Sequence, residues 1–145
     1  MGVDLVPRLK KMERYAIHYS GGGGDYVASV ILFAGAGGSV LEALEHNYGY
    51  IKKADALLLA DRLERLYTRL KKDDVRPIIE HKVSITNDQL KTLILTMARD
   101  IGNQDLPEQL QEDMARMMSD PYWDWTYDFP HLILLCRKGG GFWWC

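Results

Sequence analysis

The chain has 145 residues, of which 47% are apolar and 26% charged, and 18 basic side chains stand against 20 acidic ones for a net charge of −2 at pH 7. That length buries a core without disulfides or metal, and the composition argues for an ordinary globular protein and against disorder. The charge balance argues against a uniformly basic surface for non-specific nucleic-acid binding and leaves room for a local patch. The two cysteines, Cys136 and Cys145, define no disulfide framework. No stretch reaches the roughly 20 apolar residues of a membrane span. Residues 1–14 carry Arg8, Lys10, Lys11 and Arg14 with no apolar leader core behind them. The expectation is a single soluble, cytoplasmic domain over residues 1–145.

Arg14 to Ser20 and Asp25 to Phe33 are both rich in β-formers, with Gly21 to Gly24 between them, and this predicts a hairpin closed by a mobile glycine loop. In the second run both alternating sets are apolar or small, as in a strand covered on two faces. Ser39 is placed to cap a short helix, with Val40, Leu41, Leu44 and Tyr48 at helical spacing and Asn47 and Gly49 at its end. From Lys52 to Lys72 the residues Ala56, Leu59, Ala60, Leu63, Leu66, Tyr67 and Leu70 form one apolar stripe, with Asp61 and Arg65 outside it. Ile78 to Ile85 alternates briefly like a strand. Thr86 with Gln89, and then Asp105 with Glu108, are capping boxes that open two helices in tandem. The first carries Leu90, Leu93, Ile94, Met97 and Ile101 and stops at Gly102 and Asn103; the second carries Leu110, Met114 and Met117. Leu132 to Cys136 reads as a buried strand, and Gly139 to Gly141 turn the chain toward Phe142, Trp143 and Trp144. The predicted architecture is α+β, a helix-rich domain with a small sheet from an N-terminal hairpin and a C-terminal strand. The alternative is a Rossmann-like, doubly wound α/β fold.

One segment points at chemistry. Residues Leu32 to Glu45, LFAGAGGSVLEALE, set a glycine turn between an apolar run and a helical pattern. A strand feeding such a turn presents backbone N–H groups at the positive end of a helix dipole, which suits a phosphate, a carboxylate or a nucleotide cofactor. Glycines also allow a sharp turn and close helix packing with no ligand involved. The segment resembles the cofactor-binding first motif of class I S-adenosylmethionine-dependent methyltransferases, particularly those acting on DNA amino groups. That resemblance implies Gly35, Gly37 and Gly38 at the cofactor, with Asp55 the nearest acid for its ribose. Asp120-Pro121-Tyr122-Trp123 is similar to the family's Asp-Pro-Pro-Tyr motif, with one proline where the family has two. It implies Asp120, Pro121 and Tyr122 around a flipped base on a nucleic-acid substrate.

The other reading starts from composition. After Asp120-Pro121, Tyr122, Trp123, Trp125, Tyr127 and Phe129 are interleaved with Asp124 and Asp128. Exposed aromatics among carboxylates make a protein-binding surface, which nominates Trp123, Trp125 and Tyr127 as partner contacts. The same alternation also suits a half-buried strand with nothing bound. His18, His46, His81 and His131 show no pair with metal-ligand spacing, so no metal is expected. No nucleophile can be matched to a base. The leading expectation is therefore a non-enzymatic binding or assembly protein with another protein as partner and no cofactor. The methyltransferase reading stands beside it, with S-adenosylmethionine as cofactor and nucleic acid as partner.

Overall fold

A computed structural model describes residues 2–20, 22–34, 38–72, 87–103, 106–118 and 125–145, without the side chains of residues 22, 23, 72, 87–90 and 125–127. In chain order the described elements are β1 (Val3–Pro7), a 3-10 helix (Lys10–Tyr15), β2 (Ile17–Tyr19), α1 (Gly22–Phe33), α2 (Ser39–His46) and β3 (Gly49–Ile51). Then come α3 (Lys53–Lys72), α4 (Asn87–Asp100), α5 (Glu108–Met118), α6 (Trp125–Lys138) and β4 (Phe142–Trp144). The fold is α+β, helix-rich with one small antiparallel sheet. An antiparallel sheet is not the parallel one that a doubly wound fold requires.

The four strands lie in the order β2-β1-β4-β3, so the strand that follows α6 is inserted between β1 and β3. Leu5 is opposite Trp144 and Pro7 opposite Phe142 on one side of β4, while Gly49 is opposite Trp144 and Ile51 opposite Phe142 on the other. Leu5, Ile51 and Phe142 are fully buried. All three therefore project from the same face, the one packed on the helices.

Two segments that read as strands are helices. Asp25 to Phe33 belongs to α1, which buries Val27, Val30 and Ile31, with Ala34 buried just past its end. Those positions follow i, i+3, i+4 and i+7, so a run that is apolar on both alternating sets is satisfied by a helix covered nearly all round. Gly22 to Gly24, expected in a mobile loop, form its first turn, and the hairpin is instead β1 with β2. At Gly24 a Cβ would lie 3.2 Å from Val3 Cγ1, so a side chain there would need Val3 to give by a few tenths of an ångström where α1 approaches β1. Leu132 to Cys136 lies in α6, where Leu132, Leu135 and Cys136 are buried at i, i+3 and i+4 and Leu134 faces outward. A five-residue apolar run carries too little length to separate the two periods.

Other predicted elements are present. The α3 stripe is buried at Ala56, Leu59, Ala60, Leu63, Leu66 and Leu70 and packs against α6, with the Tyr67 and Phe129 rings 5.6 Å apart. Arg137 of α6 reaches both Glu64 and Asp61 of α3. In α4 and α5, Ile94, Met97, Ile101, Leu110, Met114 and Met117 are buried and the two helices pack on one another. Gly102, at φ 85°, ends α4, and the Asn103 side chain donates to the Phe33 carbonyl at 2.9 Å, tying this corner to the end of α1. The expected strand Ile78 to Ile85 and the caps at Thr86 and Asp105 fall outside the described residues.

Among the described glycines, the closest approach is in the turn from α6 into β4. Gly140 and Gly141 have φ of 68° and 93°, and the Arg8 and Leu9 N–H groups donate to the Gly141 and Gly139 carbonyls at 3.0 Å each. A Cβ on Gly141 would lie 2.5 Å from Tyr50 Oη and 2.7 Å from the Ile51 carbonyl, whereas a Cβ on Gly102 would meet nothing within 4 Å. Both positions share the left-handed backbone cost of about 1 kcal/mol, and only Gly141 adds a clash. Gly102→Ala is expected to lower the unfolding free energy by about 1 kcal/mol, and Gly141→Ala by at least twice that; equal losses in urea melts would show that the turn yields freely.

Candidate functional site

The glycine turn is fed by α1 and not by a strand. Gly35 and Gly37 lie outside the described residues, while Gly38 precedes α2 with φ 60°. Gly38 and Asp55 do come together, since a Cβ on Gly38 would lie 3.0 Å from the Asp55 carboxylate. That carboxylate already has donors. The Ser39 N–H donates to Asp55 Oδ2 at 3.0 Å, the Ser39 hydroxyl donates to the same oxygen, and the Lys52 N–H donates to Ser39 Oγ at 3.0 Å. Ser39 was expected to cap its own helix. Instead Asp55, in the first turn of α3, caps α2 from outside, and Ser39 links it to the β3–α3 junction. The hydroxyl and N–H of Ser39 hold the Asp55 carboxyl below its ordinary pKa, against partial desolvation and with help from Lys52.

Asp120, Pro121, Tyr122 and Trp123 lie outside the described residues. Trp125 and Tyr127 open α6, and the backbone is the part of them described. The strand-like alternation expected through this segment gives way to helix from Trp125 onward, and Phe129 goes into the core.

A different set of aromatics forms a surface. The sheet face opposite the helices carries Asp4 and Val6 of β1, His18 of β2, Tyr50 of β3 and Trp143 of β4, which alternate with the buried positions. Val6, Trp143 and Tyr50 stand side by side in register across β1, β4 and β3. The Trp143 ring is 5.1 Å from that of Tyr50 and 6.0 Å from that of Tyr48, with rings tilted by 49° and 34°. Tyr48 is 62% exposed and Trp143 39%. Tyr50 Oη donates to the Gly140 carbonyl at 3.3 Å, which fixes this ring over the glycine turn. At the other end of the face His18 Nδ1 and Asp4 Oδ1 are 2.5 Å apart, both well exposed.

Sequence reasoning assigned Tyr48 to the α2 stripe. Asn47, left-handed at φ 54°, ends α2 one residue earlier, and the buried face of α2 is Val40 and Ala43, with Leu41 39% exposed. The missed signal is the alternation of Tyr48 and Tyr50 against Gly49 and Ile51, a period of two directly after a helix stop.

An open groove of about 490 Å³ runs beside α3 and the end of α4, lined by Asp61, Glu64, Arg65, Arg69, Asp100 and Ile101. Arg69 and Asp100 pair across it at 3.0 Å, and its charges are of mixed sign. Among the described residues no three His, Cys, Asp or Glu side chains gather as a metal site. Both cysteines are free, and burial pushes the Cys136 thiol up to about 12. No helix among the described residues is long and apolar enough to cross a membrane. Comparison of the chain with models of protein families, with curated proteins and with solved structures finds no match.

Because the Asp55 pKa is lowered in the folded state, its contribution is complete at neutral pH and is lost as pH falls through 3.8 and then through the folded value. Asp55→Ala is expected to lose a helix cap of about 1 kcal/mol, or about 2–4 °C in Tm at pH 7. The gap to the parent protein should close toward pH 2.5; a gap independent of pH would remove the carboxylate from the clamp.

Proposed function

We propose that the chain acts as a binding or assembly protein whose contact surface is the open face of the sheet. One observation carries this reading: Trp143 packs beside both Tyr48 and Tyr50 at the sheet, with much of the aromatic surface left to solvent. Aromatic side chains bring large contact area at low conformational-entropy cost, and they dominate the energetics of interfaces. Here strand pairing places Tyr50 and Trp143 side by side, and the Tyr50–Gly140 hydrogen bond orients the Tyr50 ring before any partner arrives, which lowers the ordering cost of binding. The contact residues in this reading are Tyr48, Tyr50 and Trp143. Gly38 sits against the Asp55 carboxylate where that carboxylate caps α2, which gives this glycine a structural use.

Amide and indole NMR titration of the full chain tests this reading against a panel of a proline-rich peptide, a single-stranded oligonucleotide, a duplex and S-adenosylmethionine. Shifts are expected over Tyr48 to Ile51 and Phe142 to Cys145. A stoichiometric response to S-adenosylmethionine centred on Gly38 and Asp55, or shifts confined to the groove beside α3, would overturn it. Tyr48→Ser, at the most exposed of the three rings, is expected to weaken binding and leave Tm within about 2 °C, since surface changes usually stay within ±0.5 kcal/mol.

A further inference from the structure

The aromatic face has a charged neighbour. β1 leaves the sheet at Pro7 directly into Arg8, Lys10, Lys11 and Arg14, all exposed, with Glu13 the one acid among them. Arg8 is not remote from the rings: its N–H donates to the Gly141 carbonyl, in the same glycine turn whose Gly140 carbonyl accepts from Tyr50 Oη. The 3-10 helix also packs beside α6, which brings the exposed Lys138 to the same end of the sheet.

Arg8, Lys10, Lys11 and Arg14 place four positive charges within seven residues. The net charge is −2, and in the helix layer Asp61, Glu64, Asp100 and Asp113 are engaged with Arg137, Arg69 and Arg116. Among the described residues no carboxylate pairs with Arg8, Lys10, Lys11 or Lys138. An aromatic surface bordered by unneutralised cations fits a partner that is aromatic and polyanionic at once. A peptide that stacks on the rings is not generally anionic. A duplex offers phosphates and keeps its base faces inside the stack, so the match is to unstacked bases on a charged backbone.

Resting on the binding reading above, we propose that the open sheet face binds single-stranded nucleic acid, with bases stacked on Tyr48, Tyr50 and Trp143 and phosphates on Arg8, Lys10 and Lys11. The polarity of the face orients the strand. The Asp4 carboxylate lies at the far end, two rungs from Arg8, so the backbone runs along the Arg8 end and the bases point across the rings toward Asp4 and His18. At separations of 5.1 and 6.0 Å the rings form one continuous aromatic cluster on which bases can stack.

Fluorescence anisotropy of labelled ten-nucleotide dT and U oligomers with the full-length chain tests the proposal. Saturable binding is expected, with a duplex of the same length weaker. If three phosphates are neutralised, the salt slope should be about −2, so raising salt from roughly 50 to 200 mM weakens binding roughly 20-fold. Tyr48→Ser with Trp143→Thr should weaken binding by about tenfold or more and leave the slope unchanged, as loss of stacking requires. Lys10→Glu with Lys11→Glu changes only exposed side chains and should flatten the slope by about one unit or more. Far-UV circular dichroism confirms that each variant is folded. Absence of oligonucleotide binding, equal preference for duplex, or unchanged affinity in the aromatic variant overturns the nucleic-acid assignment. If a proline-rich peptide instead shifts the Trp143 indole while the oligonucleotides do nothing, the assignment fails and the sheet face stands as a protein-binding surface.

Discussion

The architecture depends on a steric constraint at one turn. For β4 to enter the sheet between β1 and β3, the chain must leave α6 and reverse within three residues, passing beneath the Tyr50 ring and against the Ile51 carbonyl. Two consecutive left-handed backbones do this at Gly140 and Gly141, where a side chain has neither conformational freedom nor space. Everything central to the sheet follows from that reversal. Phe142 and Trp144 then complete the buried face with Leu5 and Ile51, and Trp143 is turned to the opposite side by the pleat alone. The exposed tryptophan and the buried core strand are one event, since placing two residues inside forces the one between them out.

The same division of labour runs through the helices. The interface of α3 with α6 and the pairing of α4 with α5 are conventional stripe-on-stripe burial. Three polar contacts add to this burial. Asp55 holds the start of α2, which is only eight residues long; Asn103 closes the end of α1; Arg137 fastens α6 to α3. Each joins residues far apart in sequence, so they determine where the helices lie more than whether they form.

Legibility from sequence followed the strength of local periodicity. The α3 stripe extends over twenty residues and was read with the correct face, and the Gly102-Asn103 stop was visible as turn chemistry. The α+β class followed from these helices and from the β-rich ends. What failed were short apolar runs, Asp25 to Phe33 and Leu132 to Cys136, where burial on several sides erases the difference between periods of two and 3.6. The strands β1, β3 and β4 were unreadable as a sheet for a different reason. Each is three to five residues long, and their pairing joins Asp4 with Cys145, 141 residues apart. The candidate site fared similarly. Gly38 and Asp55, nominated together for a cofactor, meet in a helix cap; the composition points to aromatics around Trp125, whereas the described aromatic surface is assembled from β3 with its preceding residue and from β4.

The position of β4 also bears on the order in which the molecule can be made. A ribosome delivers β1 and β3 long before the strand that joins them, and throughout that interval each carries an unpaired edge and an apolar side chain, Leu5 or Ile51, with no neighbour to cover it. Helices α4 and α5 can pair as they emerge, being close in sequence, whereas α6, the partner of α3, is complete only four residues before β4 begins. The sheet cannot pair early, since its central ladder has almost the largest sequence separation the chain allows, and loop closure on that scale is slow. Nascent chains of this protein are therefore half-finished in a specific sense: helical early, and sticky along two strand edges until residues 142–144 arrive.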